Sequence, residues 1–436
     1  MYAPWFVVWL VIAALACVQF AVLTWWLWEN RRFARARLRK AWPREAEPRV
    51  ALFAPCKGID VGLEENLRPL LEQNYSNYTL TFIVESADDA ACAVLQHLIA
   101  DHPHVDARLT VAGVADDTGQ KVHNLRAATS NLADDVQVLA FVDSDARPRR
   151  DWLRRLVSRL PHPGVGAVTG YRWFRPTRPT AAHLLLYGIN SSVAASFGPG
   201  GHYLIWGGSW AIRRDVFDAL QLREAWQRTL SDDLVATRVV HGAGLRIEFE
   251  PACMVSSPVD GDWRQALEFV RRQYVIARAY AWRWWLLALV GGSLPVLALW
   301  GGLAALAIGL WQHAEWTWLP AAICPAYYAT TLVRGYQRWM LGRTYVADQP
   351  PLMQRIAWLD IWTGPLVSLI NWLAILSSLV GNHLRWRGID YHLARGGTVV
   401  ALARRCQPAA TPTAGAKPRT DETVRPVQRR KQHVAV

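Results

Sequence analysis

The first forty residues separate into a long apolar run and a basic segment. Residues 4–28 carry no charge, and at about 1.5 Å of helical rise per residue they exceed the roughly 30 Å hydrocarbon core of a bilayer. This pattern predicts an N-terminal transmembrane helix within residues 1–30. Arginines and a lysine follow the run at residues 31–40. A signal peptide carries its charges before the apolar run, so we expect the N-terminus outside and the next segment in the cytoplasm.

Residues 48–262 alternate between short apolar runs and helical patterns. The run at 50–56 predicts a short buried strand, and those at 79–85, 107–112, 136–142 and 164–171 predict further strands. The stretches 62–73, 87–101, 121–132 and 150–160 between them predict helices. Alternation of this kind predicts an α/β domain with a mostly parallel sheet covered on both faces. In such folds ligands bind at the carboxyl ends of the strands. We expect this domain to be cytoplasmic.

The remainder of the chain becomes apolar again after a basic amphipathic stretch. Residues 263–282 predict an interface helix, and 283–383 predict a membrane region with spans at about 281–311 and 316–333. A third stretch, 357–382, contains Gly364-Pro365 and Asp360, and a full crossing would place Arg385 and Arg387 outside. We therefore expect it to be re-entrant or interfacial. Residues 405–436 are rich in Ala, Pro, Thr and charge, which predicts a disordered basic tail.

Composition narrows the possible partners. The net charge of +13 suggests an anionic partner, but the basic residues concentrate beside the apolar segments and in the tail. Attraction to anionic lipid headgroups explains this distribution more simply than nucleic-acid binding, so we expect a membrane partner and no nucleic acid. The six cysteines form no C-x-x-C pair and read as reduced thiols.

Three acidic sites stand out in the α/β segment. They are Asp88-Asp89, Asp143-Ser144-Asp145 and Asp232-Asp233. The first two lie just past predicted strands, and the side chains of Asp143 and Asp145 project to the same side. Hard carboxylate oxygens in this arrangement suit Mg²⁺ or Mn²⁺ bridged to a diphosphate. Each acidic site alone is weak evidence for a metal or nucleotide site, because Asp also caps helices. Asp88 or Asp89 could cap a helix at 90–101, and Asp232-Asp233 could cap one at 232–242.

Taken together, these motifs resemble the inverting family 2-type glycosyltransferases with an A-type, Rossmann-like nucleotide-sugar fold. Within that group they are most similar to the ceramide glucosyltransferases and the related bacterial lipid and hopanoid glycosyltransferases. The resemblance runs from about residue 54 to 397. It is carried by Pro55-Cys56-Lys57-Gly58-Ile59-Asp60, by Asp89, Asp143 and Asp233 as the three family aspartates, by Lys121 and Asn124, and by Trp386-Arg387-Gly388 with Gly396-Gly397.

The resemblance implies a role for each of several residues. It implies nucleotide-sugar contacts from Pro55, Lys57, Asp89, Lys121, Asp143 and Arg272, a metal on Asp143 and Asp145, acceptor contacts at Gly207, Gly208 and Asp232, and a catalytic base at Asp233. Gly207 and Gly208 could also simply form a turn. Charge accounting supports the base, because a carboxylate must take the proton of the acceptor hydroxyl opposite the leaving diphosphate.

One motif departs from the family pattern. The family's Q-x-x-R-W or R-x-x-R-W signature corresponds here to Phe269-Val270-Arg271-Arg272-Gln273, in which only Arg272 is retained. Contact of Arg271 or Arg272 with diphosphate is one interpretation. The other is an amphipathic helix whose arginines bind lipid phosphate.

The sequence therefore predicts a membrane-bound inverting glycosyltransferase. We expect it to move a sugar, glucose from UDP-glucose, onto a lipid hydroxyl such as that of ceramide at the cytoplasmic leaflet. Two alternatives remain: a processive polysaccharide synthase, and a catalytically inactive nucleotide-sugar-binding membrane scaffold.

Overall fold

The computed structural model describes residues 4–40, 47–346 and 348–404. Its strands are β1 (Val50–Pro55), β2 (Tyr78–Val84), β3 (Asp106–Val111), β4 (Val138–Val142), β5 (Val165–Pro176), β6 (Ser209–Arg213), β7 (Arg246–Val259), β8 (His383–Trp386), β9 (Ile389–Leu393) and β10 (Val399–Arg404). Its helices are α1 (Pro4–Arg39), α2 (Leu63–Leu71), α3 (Ala91–Asp101), α4 (Gln120–Ala128), α5 (Trp152–Val157), α6 (Ala181–Ala194), α7 (Arg214–Ala219), α8 (Leu222–Ala225), α9 (Asp232–Gly242), α10 (Trp263–Tyr280), α11 (Trp282–Trp311), α12 (Trp318–Tyr345) and α13 (Pro351–Ser377).

A seven-stranded sheet in the order β3-β2-β1-β4-β6-β5-β7 organises residues 50–259. Strands β1 to β4 pair in parallel, as the alternating pattern predicted. Successive residues of β1 enter two different cores, Leu52 on one face and Phe53 on the other, because side chains alternate along a strand. The sheet is thus covered by apolar packing on both faces, and the predicted α/β class is confirmed.

The second half of the sheet differs from the predicted parallel arrangement. Strand β6 lies antiparallel to both β4 and β5, whereas β5 and β7 run parallel to each other. The five-residue β6 follows Gly207-Gly208 directly, so the chain turns back at that point towards the end of β4. This insertion brings the glycine pair beside the carboxyl end of β4.

A separate three-stranded antiparallel sheet, β10-β9-β8, follows the last long helix. Leu384, Tyr391 and Val399 attach it to the same core that contains Phe53. Arg387 and Gly388 join β8 to β9 with positive φ angles of 51° and 76°, which a tight two-residue hairpin requires. The sequence analysis did not predict this sheet.

Three of the described helices are long and apolar enough to cross a membrane: α1, α11 and α13. The first two correspond to the predicted segments 4–28 and 281–311. The predicted span at 316–333 lies in α12, which does not meet that criterion. Helix α13 continues through Gly364-Pro365 without interruption. The expected re-entrant or interfacial placement of residues 357–382 stays a prediction. Asp360 fits inside this helical cluster because Arg338 of α12 donates to its carboxylate at 2.8 Å.

Two other predicted segments have different outcomes. Helix α10 occupies the stretch expected to form an amphipathic interface helix, and Asp262 and Gln265 form a capping box at its start. The predicted disordered tail, 405–436, lies outside the described residues.

Candidate active site

A cavity of about 650 Å³ lies where the carboxyl ends of β1 and β4 approach α6, α10 and the β8–β9 hairpin. One part of the lining, which we call the polar wall, consists of charged side chains near the strand ends and the starts of α4 and α9: Lys57, Asp60, Lys121, Asp143, Asp145, Asp232 and Asp233. Another part of the lining, which we call the apolar wall, comes from α6 and α10: Leu186, Ile189, Val193, Phe269, Val270 and Ile276. The cavity therefore presents charged and apolar groups together.

Lys121 at the start of α4 links the two acidic sites that line the cavity. Its Nζ lies 2.7 Å from Asp143 Oδ1 and 3.1 Å from Asp232 Oδ1, and it donates to the Gly207 carbonyl at 3.3 Å. Burial opposes the charge on Lys121, but the carboxylates of Asp143, Asp232 and Asp233 raise its pKa well above the ordinary value. This lysine is a fixed positive charge in the polar wall.

Asp233 is held at both carboxylate oxygens. Its Oδ2 accepts from the Gly207 N–H at 2.9 Å, and its Oδ1 accepts from the Ser231 hydroxyl at 2.6 Å and the Leu234 N–H at 2.8 Å. The N-cap of α9 is Ser231, whose hydroxyl also accepts from Leu234 N–H. Asp233 is thus not the N-cap residue, and these contacts fix its carboxylate at the cavity surface.

Asp232 has a different environment from its neighbour. It is 2% exposed, its Oδ1 pairs with Lys121, and its Oδ2 has no hydrogen-bond partner among the described residues. Burial raises the pKa of Asp232 to about 7, Lys121 opposes that change, and the negative charges of Asp233 and Asp143 add to it. The two adjacent carboxylates therefore differ in burial and in their hydrogen-bond partners.

Positions 207 and 208 require glycine because neighbouring side chains leave no room for a Cβ atom. A Cβ on Gly207 would lie 2.6 Å from Lys121 Nζ and 2.9 Å from Asp232 Oδ2. A Cβ on Gly208 would overlap the Trp206 ring and lie 2.8 Å from Asp143 Oδ2. The backbone can thus approach Lys121 and the aspartates only if residues 207 and 208 have no side chain. This close approach explains the glycine pair better than a turn alone.

The first motif contributes residues at the end of β1. Pro55 and Lys57 line the cavity, and the Lys57 ammonium pairs with Glu85 at the end of β2. Asp89 is not among the described residues that line the cavity. Its Oδ1 accepts from the N–H groups of Gly58 and Ala91, at 2.8 and 2.9 Å. Asp89 therefore orders the loop after Lys57, and its contact with the nucleotide stays a prediction.

Several cavity residues were absent from the predicted site. Arg172 of β5 lies 3.7 Å from Asp145, and Arg387 in the β8–β9 hairpin pairs with Asp60 at 2.7 Å. The alternation Ile389, Tyr391, Leu393 is a strand signal that could have revealed the hairpin. No sequence signal marks Arg172, because its approach to Asp145 depends on the pairing of distant strands. The predicted Arg272 does line the cavity.

Two carboxylates could hold a divalent metal. Asp143 and Asp145 both line the cavity directly after β4, and hard carboxylate oxygens suit Mg²⁺ or Mn²⁺. Burial raises the pKa of Asp145, and Asp143 contributes to that rise, so a cation there would relieve the cost of their charges. The described residues contain no group of three or more His, Cys, Asp or Glu side chains arranged for a metal. A metal here would need further oxygens from a ligand or water, and a diphosphate would supply them.

The chain matches the model of the family described as "Glycosyl transferase family 21" over residues 8–399. It belongs to that family. This match confirms the predicted recognition and identifies the chain as a glycosyltransferase. The predicted α/β class with membrane-length helices is confirmed by the structure.

Individual relatives match shorter segments. The chain is 30% identical over 89 residues to ceramide glucosyltransferase 1 of Caenorhabditis elegans, which covers 20% of this chain and 19% of the relative. It is 38% identical over 60 residues to the ceramide glucosyltransferase of Komagataella phaffii, covering 14% and 12%. Less than a fifth of each relative's length is thus spanned. A mannosyltransferase from Pyrobaculum calidifontis, solved with GDP-Man and Mn²⁺, superimposes with a TM-score of 0.44 at 16% identity, covering 84% of this chain and 99% of that one.

Proposed function

We propose that this family 21 glycosyltransferase moves glucose from UDP-glucose onto the hydroxyl of a membrane lipid such as ceramide. The observation that supports it best is the cavity itself, which is lined both by the polar wall and by the apolar wall from α6 and α10. Sugar nucleotides are charged and lipid tails are apolar, so one cavity with both kinds of wall suits both substrates.

The apolar wall is connected to the membrane-length helices. A Cβ on Gly188 of α6 would lie 2.9 Å from Val367 of α13, so the two helices pack closely. Tyr274 of α10 donates its hydroxyl hydrogen to Asn371 of α13 at 2.8 Å. A lipid lying among these helices could extend its headgroup hydroxyl from the apolar wall towards Asp233.

The reaction needs charge stabilisation on one side and a base on the other. Asp143 and Asp145 would hold a divalent cation, and such a cation would supply positive charge to stabilise the departing diphosphate. Lys121 adds a fixed cation beside Asp143. Asp233 accepts the proton of the acceptor hydroxyl, since three N–H or O–H groups orient its carboxylate and leave lone-pair capacity free. One base and one displacement invert the anomeric configuration.

The choice of glucose and ceramide rests on the relatives, two of which are named ceramide glucosyltransferases. The alternatives make different demands. A processive synthase needs a path for a growing polymer, and an inactive scaffold needs no base. The apolar wall favours a lipid acceptor over a polymer, and the organised contacts of Asp233 favour an enzyme over a scaffold.

Purified full-length protein in lipid vesicles tests the proposal. It is given labelled UDP-glucose and, in parallel, ceramide, a hopanoid alcohol or diacylglycerol, and the products are identified by mass spectrometry. We expect one added hexose on a lipid, with ceramide preferred. A polymer would support the synthase alternative, and nucleotide binding without transfer to any acceptor would support the scaffold.

The cytoplasmic orientation has a separate test. His162 is exposed on the α/β domain, so a His162→Cys variant, with Cys17 and Cys406 changed to Ser, presents a surface thiol. In sealed cells we expect this thiol to resist a membrane-impermeant maleimide and to react after permeabilisation. Labelling in intact cells would place the domain outside and exclude a cytosolic donor.

A further inference from the structure

Arg172 is held inside an aromatic box beside Asp145. Its guanidinium carbon lies 4.7 Å from the ring centre of Phe174 and 5.4 Å from those of Trp206 and Phe269. The side chain is 13% exposed, its ion pair with Asp145 is loose at 3.7 Å, and its Nε has no hydrogen-bond partner among the described residues. The rings fix the guanidinium plane. Its buried N–H group lacks an acceptor, although such groups are normally satisfied.

Arg387 reaches the polar wall from the opposite side. It stands at the tip of the β8–β9 hairpin, where it donates to the Lys57 carbonyl at 2.8 Å and pairs with Asp60 at 2.7 Å. Asp145 and Asp143 are close enough to act on its charge. Its side chain is 36% exposed. A guanidinium has five N–H donors, so these contacts leave donors for a ligand.

Arg272 of α10 is near enough to both of these arginines to be affected by their charges. It contacts the rings of Phe269 and Trp386 at 5.1 and 5.7 Å and donates to the Arg385 carbonyl at 3.2 Å. It has no carboxylate within ion-pair distance among the described residues. Burial, followed by the charges of Arg172 and Arg387, lowers the pKa of Arg272 to about 10. Three guanidinium groups from three elements therefore converge on one part of the cavity.

We propose that Arg172, Arg272 and Arg387 form a clamp for the diphosphate of the donor. The three convergent cations repel each other, and a doubly charged diphosphate beside Asp145 would offset that repulsion. Its oxygens would also accept hydrogen bonds from the N–H groups of the arginines that have no other partner. Arginine suits this role because its planar fork binds phosphate oxygens bidentately. The inference rests on the proposed function, and it assigns leaving-group contacts to Arg172 and Arg387.

The test compares three nucleotides that differ only in phosphate number: uridine, UMP and UDP. Their Kd values are measured by calorimetry on the full-length protein in detergent, with Mn²⁺ present. We expect Arg172→Gln and Arg387→Gln to weaken UDP binding by about 10- to 100-fold each, the range for hydrogen bonds to charged groups. Uridine binding should stay within a factor of about two. Arg172→Lys and Arg387→Lys keep the positive charge but lose the planar guanidinium fork. Their UDP affinity should therefore lie between that of the Gln variants and that of the wild type.

Matched controls remove arginines that do not line the cavity. Arg175 lies on the same strand as Arg172, and Arg385 lies on the same hairpin as Arg387. Arg175→Gln and Arg385→Gln should leave UDP affinity unchanged. The clamp proposal is overturned if the Arg172 and Arg387 variants unfold normally and bind UDP as tightly as the wild type does. It is also overturned if these variants lose the same affinity for uridine as for UDP. Wild-type protein that binds no uridine nucleotide contradicts the UDP donor of the proposed function instead.

Discussion

The two walls of the cavity are built in different ways. In the polar wall nearly every charge has a defined partner: Lys121 bridges Asp143 and Asp232, and Asp233 is held at both oxygens. The apolar wall consists of helix side chains such as Ile189 and Val193, which contribute area and shape. Loss of a partner in a buried polar network costs more than loss of a methyl group from a surface. Substitutions in the polar wall should therefore have large, specific effects, and those in the apolar wall smaller, graded ones.

The largest effect on the rate of sugar transfer is expected from a substitution of Asp233. In Asp233→Asn the amide cannot accept the proton of the acceptor, so we expect kcat to fall by about 10²- to 10⁴-fold. UDP binding should change little, because the phosphate contacts lie elsewhere. Transfer to a lipid acceptor and UDP affinity, measured on the same preparation, check this.

Asp232→Asn is the matched control for Asp233→Asn. Asp232 is buried, and its pKa is raised to about 7, so a neutral amide resembles its protonated form. We expect a smaller loss of kcat than at Asp233. A larger loss at Asp232 than at Asp233 would transfer the base to Asp232. Because Asn at 233 places an NH₂ group against the Gly207 or Leu234 N–H, thermal unfolding must be measured for both variants.

The next largest effect on turnover is expected at the proposed metal site. Asp145→Ala removes one of the two carboxylates after β4, so we expect turnover to fall by on the order of 10²-fold, with a higher requirement for Mg²⁺ or Mn²⁺. EDTA should inactivate the wild type, and added metal should restore it. Glu47 pairs with Arg154 away from the cavity, so Glu47→Ala serves as a control for loss of a carboxylate. Full activity in EDTA would contradict the metal proposal.

The sequence predicted the part of the fold that depends on local pattern. Strands β1 to β4 and the intervening helices were recoverable because buried strands such as Val138–Val142 are apolar throughout and helical periodicity separates them. The positions of Asp143 and Asp145 after β4 followed from the same pattern. The antiparallel insertion of β6 was not recoverable, since a five-residue strand carries no information about its neighbours.

The hydrogen-bond and ion-pair partners of the site residues also could not be predicted from the sequence. Both Ser231 and Asp233 are good N-cap residues, and only the geometry assigns the cap to Ser231. The pairings of Lys57 with Glu85 and of Arg387 with Asp60 join residues that are distant in the chain. They depend on strand register and on the attachment of the small sheet. The sequence thus predicted the aspartates at 143, 145, 232 and 233, and it also predicted Arg272, but it did not predict Arg172 and Arg387 as site residues.

The dependence of stability on pH gives a further test of the polar wall. Because the folded-state pKa of Asp232 is raised to about 7, the stability linked to its proton is fully present below the ordinary carboxyl pKa. It is lost as the pH rises through about 7. Relative to Asp232→Asn, we expect wild-type stability to fall by on the order of 4 kcal/mol between about pH 4 and pH 8. Thermal unfolding of both proteins in EDTA measures the difference, and parallel curves would contradict a raised pKa.

The smallest effect is expected in the apolar wall. Ile189→Ala removes apolar contact from the cavity, so we expect the KM for the lipid acceptor to rise by roughly 5- to 30-fold, the range for about 1 to 2 kcal/mol of lost burial. Leu184 lies on the same helix but packs into a different cluster, with Trp173 and Tyr187. Leu184→Ala therefore controls for destabilisation of α6. If the acceptor lies against this wall, only Ile189→Ala raises the acceptor KM, and UDP affinity is unchanged in both variants. A rise in KM for UDP-glucose at Ile189 would instead place the donor against the apolar wall and reverse the assignment of the two walls.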